Sequence, residues 1–176
     1  MKRFILVLFG HSCAGKTSVV EILMKKHENL FRISADKLKW LISKYDRKKH
    51  SKLIYYLLTT LANEVTKEKY SLIIEGVGVN LSNKGIKFFK SLSKKRKMKF
   101  IEINLESPFH IAKERFNKRL EESKKEKHKK ISNRSHKRFK QLYEGYFIKK
   151  NKKMPTFNTH KSSSKQIVNR IEKLIS

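Results

Sequence analysis

The chain has 176 residues, a length that predicts a single domain. It carries 44 Lys and Arg residues against 15 Asp and Glu residues, which gives a formal net charge of +29. Hydrophobic residues make up 38% of the sequence, enough for a core, so a fully disordered basic chain is excluded. The only cysteine, Cys13, excludes an internal disulfide framework and a Cys-rich zinc site.

The apolar runs of the sequence are short. The longest, Phe4–Phe9, has six residues. A transmembrane helix needs about 20 apolar residues, and the core of a secretory signal has roughly 7–15. We therefore expect a cytoplasmic protein that is not inserted in a membrane.

In chain order, the first half of the sequence predicts a strand at Arg3–Phe9, a helix at Lys16–His27, a strand at Phe31–Ser34, helices at Ala35–Ser43 and His50–Thr66, and a strand at Tyr70–Ile74. The second half predicts a helix at Asn83–Lys94, a strand at Met98–Asn104, a helix after Pro108, a mobile polar loop at Ser123–Ser132, a helix at Asn133–Lys149, a short strand at Thr156–Thr159 and a last helix capped by Ser162 or Ser163. This alternation predicts a parallel α/β sheet with helices on both faces.

A phosphate-binding loop follows the first predicted strand. Residues 10–17 form an uninterrupted G-x-x-x-x-G-K-T motif between that strand and the next helix. Glycines permit the backbone N–H groups to curl around an oxyanion, and the helix directs its positive dipole end at the phosphates. The motif predicts that Lys16 reaches the β- and γ-phosphates and that the hydroxyl of Thr17 binds Mg²⁺. The predicted nucleotide-binding residues are Gly10, His11, Ser12, Cys13, Ala14, Gly15, Lys16, Thr17 and Ser18.

Two carboxylates follow predicted strands and are candidates for the chemistry. Asp36 comes after the second strand and Glu75 ends the third, and parallel strands bring their carboxyl ends to the edge that holds the phosphate loop. Phosphoryl transfer to a hydroxyl needs a carboxylate that orients or deprotonates the acceptor. Asp36 is the predicted catalytic residue, although capping a helix is its structural alternative. Glu75 is a candidate for holding Mg²⁺ through water.

Together these elements resemble the small P-loop kinases, a group that includes nucleoside monophosphate kinases, chloramphenicol-phosphotransferase-like enzymes and polynucleotide 5′-kinases. The phosphotransferase branch is the most similar, on the phosphate loop, on Asp36 as the catalytic aspartate, on Tyr143-Glu144-Gly145 and on Phe157-Asn158-Thr159. The resemblance implies a three-layer P-loop NTPase fold with five parallel strands, and ATP or GTP with Mg²⁺ as cosubstrates. The sequence departs from the group in having Glu75 where many members have aspartate and Lys39 where arginine is frequent.

The resemblance also implies a helical lid that carries arginines, at about residues 113–140. Arg115 and Arg119 lie four residues apart, as do Arg134 and Arg138. Such guanidinium groups clamp phosphates and neutralise transition-state charge when a lid closes. Arg115 and Arg119 are therefore predicted catalytic residues, and Arg134 and Arg138 are predicted lid residues.

Three functions remain open at the level of sequence. The first is an ATP-dependent phosphotransferase acting on a hydroxyl of a small molecule. The second is a polynucleotide 5′-hydroxyl kinase that holds DNA or RNA on residues 113–153, a segment that contains 17 Lys and Arg residues but only 5 Glu residues. The third is a non-catalytic nucleotide- or nucleic-acid-binding protein. The lysine excess is also what codon bias in an AT-rich genome produces, but such bias does not explain the shortage of acids.

Overall fold

The computed structural model describes residues 2–75, 83–125, 135–149 and 154–176. Its strands are β1 (Phe4–Gly10), β2 (Leu30–Ser34), β3 (Ser71–Glu75), β4 (Lys99–Glu106) and β5 (Thr156–Asn158). Its helices are α1 (Lys16–Lys26), α2 (Ala35–Trp40), α3 (Arg47–Lys67), α4 (Asn83–Lys95), α5 (Phe109–Lys125), α6 (His136–Lys149) and α7 (Ser164–Ile175).

The five strands form one sheet in the order β2-β3-β1-β4-β5, and every pairing is parallel. The predicted α/β class is therefore confirmed. Strand β1 lies at the centre, with Gly10 opposite Leu105 of β4. On the other side of β1, within the same sheet, Ser34 at the end of β2 lies opposite Glu75 at the end of β3. The carboxyl ends of the strands thus meet at one edge of the sheet, where open parallel sheets bind their ligands.

Side chains of β1 alternate between the two faces of the sheet, and each face is covered by helices. Phe4, Leu6 and Leu8 belong to a cluster that includes apolar residues of α1 and α7. Ile5 and Val7 point to the opposite face and pack with apolar residues of α3 and α4. Burial on both faces explains why β1 is a continuous apolar run, and it produces three layers, helix–sheet–helix.

A third, smaller cluster joins α5 and α6 beside the phosphate loop. The rings of Phe116 and Phe139 stack with their centroids 4.4 Å apart, and Cys13 of the loop belongs to the same cluster. Phe139 is 1% exposed, so the two helices are firmly packed at this point. Among the described residues, no helix is long and apolar enough to cross a bilayer.

Several helix boundaries differ from the prediction for local reasons. Helix α3 begins at Arg47 rather than His50, because the carboxylate of Asp46 caps it by accepting a hydrogen bond from the Lys49 N–H at 2.8 Å. Helix α2 ends at Trp40 rather than Ser43. Helix α5 continues to Lys125, so the first residues of the predicted loop 123–132 are helical, and the part from 126 onward lies outside the described residues.

Candidate active site

The phosphate loop occupies the turn between β1 and α1, at the carboxyl edge of the sheet. The ammonium group of Lys16 lies over this turn and donates hydrogen bonds to the carbonyl oxygens of Gly10 and His11, both at 2.8 Å. Burial lowers the pKa of Lys16 to about 8, and the charges of Asp36 and Glu75 act against that shift. The lysine is therefore held where an oxyanion bound in the loop would meet it, with two carboxylates close enough to influence its charge.

Glycine is required at two places in the loop. Gly10 has φ +148°, and a Cβ there would lie 2.5 Å from the carbonyl oxygen of Leu105. Gly15 has φ +84°, a left-handed conformation that L side chains rarely adopt, and a Cβ there would approach Thr159 to 3.5 Å. The loop therefore passes against the backbone of β4 and beside the end of β5. Both glycines of the sequence motif are explained by this path.

His11 connects the phosphate loop to the turn after β4. Its Nε2 accepts a hydrogen bond from the N–H of Ser107 at 2.9 Å, and its Nδ1 lies 2.7 Å from the carbonyl oxygen of Ser12. An accepting Nε2 requires the proton to sit on Nδ1, which then donates to Ser12, so these contacts fix a neutral tautomer. Burial lowers the pKa of His11 to about 4, in agreement with that neutral form.

Helix α6 packs directly on this histidine. The rings of His11 and Tyr143 are 4.6 Å apart, and the hydroxyl of Tyr143 donates to the carbonyl oxygen of Ser107 at 2.9 Å. Ser107 thus bonds to His11 through its N–H and to Tyr143 through its C=O. The loop, the β4–α5 turn and α6 therefore form one connected unit.

Asp36 lies in the first turn of α2, which follows β2. Ser34 caps this helix by accepting a hydrogen bond from the Lys37 N–H at 3.4 Å, so Asp36 is free of the capping role. Its side chain is 52% exposed, and one carboxylate oxygen accepts from Lys39 Nζ at 2.7 Å. The structure therefore places Asp36 at the carboxyl edge of the sheet, accessible to solvent and close enough for its charge to act on Lys16.

Glu75 is buried at the end of β3, with 4% of its surface exposed. Its Oε1 accepts from Nε of Arg32 at 2.7 Å and also from Nη2 of the same guanidinium. Its Oε2 is buried and has no hydrogen-bond partner. A water molecule held on Mg²⁺ is the kind of donor that would satisfy such an oxygen, so Glu75 fits an indirect role in metal binding.

Thr17 is the candidate for a direct metal ligand. Thr17 lies in the first turn of α1 with a partly exposed side chain. The described part of the chain contains no group of three or more His, Cys, Asp or Glu residues that could hold a metal ion. The hydroxyl of Thr17 and the carboxylate of Glu75 are oxygen donors, the kind of ligand that Mg²⁺ prefers.

Two arginines of α5 extend to the phosphate loop. Arg115 Nη1 donates to the carbonyl oxygen of Cys13 at 3.2 Å and to Thr159 Oγ1 at 2.9 Å, while its Nη2 donates to the carbonyl oxygen of Thr159 at 3.0 Å. Arg119 Nη1 lies 3.6 Å from Cys13 Sγ. The structure therefore places both predicted arginines beside the loop.

Of the two predicted lid arginines, the structure describes Arg138. Arg138 is exposed, and its Nη1 donates a hydrogen bond to Oε1 of Gln141, one turn further along α6, at 3.3 Å. Arg134 lies outside the described residues. Their assignment to a lid remains a prediction.

Sequence reasoning missed three residues of this site as participants: Ser107, Thr159 and Arg32. Ser107 follows β4 and Thr159 follows β5, so both obey the rule that selected Asp36 and Glu75. Applying that rule to all five strands would have found them. Arg32 gives no such signal, because it lies inside β2 and its role depends on the register that aligns β2 with β3.

A β1–loop–α1 phosphate site, at the carboxyl edge of a five-stranded parallel sheet, defines a P-loop protein with a kinase-like fold. In agreement, the family model described as "AAA domain" matches residues 5–145, and the chain belongs to this family. No curated protein sequence matches the chain significantly.

Solved structures with the same fold include several kinases. A candidate kinase from Chloroflexus aurantiacus has a TM-score of 0.67 at 15% identity, with 100% of both chains covered. The Mycobacterium tuberculosis APS kinase in complex with AMPPNP and APS has a TM-score of 0.61 at 15% identity, with 99% of both chains covered. The Deinococcus radiodurans tunicamycin resistance protein has a TM-score of 0.62 at 14% identity, with 99% of this chain and 96% of that chain covered. At these identities the likeness concerns the fold.

Proposed function

We propose that this protein transfers the γ-phosphoryl group of ATP to a hydroxyl group of a small-molecule acceptor. The observation that carries the proposal is that Lys16, Arg115 and Arg119 all contact the phosphate loop, while the charge of Asp36 acts on Lys16. Cations over the phosphates and a carboxylate near the acceptor are the two requirements of this reaction. The solved APS kinase, which shares the fold, is in complex with AMPPNP and APS.

In the proposed reaction, Asp36 orients the acceptor hydroxyl and takes its proton. A bond forms between the acceptor oxygen and the γ-phosphorus while the bond from that phosphorus to the bridging β,γ-oxygen breaks, so ADP leaves. Lys16 and the backbone N–H groups of the loop stabilise the charge that moves onto the bridging oxygen. Arg115 and Arg119 lie where they can neutralise the transferring group.

Thr17, and Glu75 through water, would hold Mg²⁺ with the nucleotide. The metal supplies charge neutralisation between the β- and γ-phosphates when bound. The buried and unpartnered Oε2 of Glu75 supports this assignment, while the bonds from Arg32 occupy the other oxygen. One oxygen of Glu75 is therefore available for a metal-bound water.

Residues 113–140 form the lid in this proposal, within a single kinase domain that spans residues 1–176. The hydrogen bonds that Arg115 donates to Cys13 of the loop and to Thr159 hold α5 against the phosphate loop. The packing of Tyr143 on His11 docks α6 in the same way.

A transfer screen with γ-labelled ATP and GTP tests the proposal. The acceptors are nucleosides, small hydroxylated compounds such as antibiotics, and 5′-hydroxyl oligonucleotides, and the Lys16→Ala variant is the blank. Transfer of label to a nucleoside or another small acceptor by the wild type, and not by Lys16→Ala, supports the proposal. Transfer to the oligonucleotide only supports the polynucleotide kinase described below. Calorimetry that detects no Mg²⁺-dependent binding of ATP, GTP or their non-hydrolysable analogues by folded protein contradicts it.

A polynucleotide 5′-hydroxyl kinase is the second candidate, favoured by the net charge of +12 over residues 113–153. Salt separates the two candidates, because the logarithm of the affinity for a single strand falls with the logarithm of salt concentration by about 0.7 per neutralised phosphate. A small uncharged acceptor shows no such slope. The non-catalytic alternative predicts full function in Asp36→Asn.

A further inference from the structure

The only tryptophan of the sequence stands one helical turn from the proposed catalytic carboxylate. Asp36 and Trp40 are four residues apart in α2, so they lie on one side of the helix about 6 Å apart along its axis. The other side of α2 faces the core, where Ala35 is buried and Leu38 packs against the cluster that Ile5 and Val7 form with α3 and α4. Trp40 is 58% exposed, and Leu41 beside it is 80% exposed.

The segment of the chain that contains this tryptophan is positively charged, and few of its cations are paired. Residues 35–52 contain seven Lys and Arg residues but only two acids, Asp36 and Asp46. Asp36 is paired with Lys39, and Asp46 caps α3. Among the residues that the structure describes, no carboxylate lies within ion-pair distance of the remaining cations, which are Lys37, Lys44, Arg47, Lys48, Lys49 and Lys52.

We infer that Trp40 is a stacking platform that selects an acceptor made of a nucleobase, a sugar with a free hydroxyl, and at least one phosphate. This inference rests on the proposed phosphotransferase function and names its acceptor class. The base lies on the indole of Trp40, the sugar hydroxyl meets Asp36, and the phosphate lies among the lysines of residues 35–52. One helical turn separates the two side chains, a span that suits a nucleoside between its hydroxyl and its base.

The chemistry of the surface favours this acceptor over a neutral sugar or an apolar compound. An indole offers a flat π-surface, and stacking of a base on an aromatic side chain contributes about 1–3 kcal/mol. Uncompensated lysines attract phosphate but do nothing for a neutral acceptor. A nucleotide unit satisfies both features, whether it is free or stands at the end of a strand.

The fluorescence of Trp40 provides a direct test, because no other tryptophan contributes to the signal. The protein is titrated with a nucleoside 3′-monophosphate, with a short 5′-hydroxyl oligothymidylate, and with inorganic polyphosphate as a polyanion that has no base. Saturable quenching by the mononucleotide or the oligonucleotide, with none by polyphosphate, supports the inference. Equal quenching by polyphosphate, or none by any compound, overturns it.

The two base-bearing probes distinguish the source of the acceptor. Equal affinities per site, with little dependence on salt, assign a free nucleotide. Much tighter binding of the oligonucleotide, with an affinity that falls by about 0.7 log units per log unit of salt for each phosphate contacted, assigns the end of a strand.

Variants separate stacking from folding. Trp40→Leu is expected to weaken the binding of the acceptor roughly tenfold to a hundredfold, whereas Trp40→Phe retains most of the affinity. The affinity is measured as KM in the transfer assay and by the anisotropy of a labelled oligonucleotide. Tyr70→Leu is the matched control, because Tyr70 is an exposed aromatic residue that precedes β3 at the opposite edge of the sheet.

Calorimetry with ATP and Mg²⁺ runs alongside. Normal ATP binding with an unchanged KM in Trp40→Leu refutes the stacking role and leaves the kinase assignment intact. Absence of ATP binding by the wild type refutes the kinase assignment itself.

Discussion

The carboxylate of Asp36 is the residue on which the proposed chemistry depends most. Asp36→Asn keeps the shape of the side chain and removes its ability to take a proton. We expect kcat to fall about 10²–10⁴-fold while ATP affinity changes far less, because the hydrogen bond of Asp36 goes to Lys39. Single-turnover transfer and calorimetry measure the two quantities separately.

Lys39 provides the control for this change, since its ammonium pairs with Asp36. Lys39→Met leaves the carboxylate in place and is expected to change turnover far less than Asp36→Asn. Normal turnover in Asp36→Asn would exclude Asp36 as the base and would favour the non-catalytic alternative.

His11 makes a second residue-scale prediction, because its pKa of about 4 in the folded protein lies below the ordinary 6.5. The unfolded chain therefore binds a proton more readily, so the stability associated with neutral His11 is present above pH 6.5 and is lost as the pH falls toward 4. Between pH 7.5 and pH 5 this linkage amounts to about 2 kcal/mol of unfolding free energy.

Urea unfolding of the wild type and of His11→Gln at both pH values measures this contribution. Gln retains an oxygen that can accept from the Ser107 N–H, but it has no proton to gain. The wild type should lose about 2 kcal/mol more than the variant over this interval. Equal losses would contradict a buried, neutral His11.

At the scale of elements, the strands were the easiest part to predict from sequence. Burial on both faces gives β1 and β3 continuous apolar runs, and the phosphate-loop motif identified the turn between β1 and α1. Helix ends were less accurate, because they depend on individual caps such as the one Asp46 provides for α3.

Contacts between elements far apart in the chain could not be predicted. His11 meets Ser107 across 96 residues, and Arg115 meets Thr159 across 44. No local pattern encodes such pairs, since they arise from the order of strands in the sheet. The motif therefore identified the loop residues, while the pairing of His11 with Ser107 and of Arg115 with Thr159 became visible only in the fold.

One such contact, the ion pair of Arg32 and Glu75, joins β2 to β3 at the edge of the active site. The side chains are 16% and 6% exposed, so removal of one partner leaves the other charge buried. Arg32→Met is expected to lower the unfolding free energy by about 3–5 kcal/mol. The double variant Arg32→Met/Glu75→Leu should recover most of this loss, because it removes both charges. Urea denaturation gives the unfolding free energy of the wild type, of Arg32→Met and of the double variant. An equal loss of unfolding free energy in the single and the double variant would contradict this explanation.

At the scale of the whole molecule, the net charge of +29 opposes folding through self-repulsion. The ion pairs of the described residues are few, and most lie at the surface, where each contributes about 0–1 kcal/mol. Salt screens repulsion between exposed charges as the Debye length falls from about 30 Å at 0.01 M to about 8 Å at 0.15 M. Repulsion distributed over the surface should therefore outweigh the few screened attractions.

We expect sodium chloride to stabilise the protein over this range. A gain of roughly 1 kcal/mol corresponds to a rise in Tm of about 2–4 °C for a chain of this size. Calorimetric scans at 0.01 M and 0.15 M salt measure the shift. Replacing exposed lysines distant from the site, such as Lys165 and Lys173 of α7, by Gln should raise Tm at low salt and reduce its dependence on salt, because repulsion is then smaller. A Tm that falls as salt increases would mean that attractive pairs dominate the surface, contrary to the charge distribution.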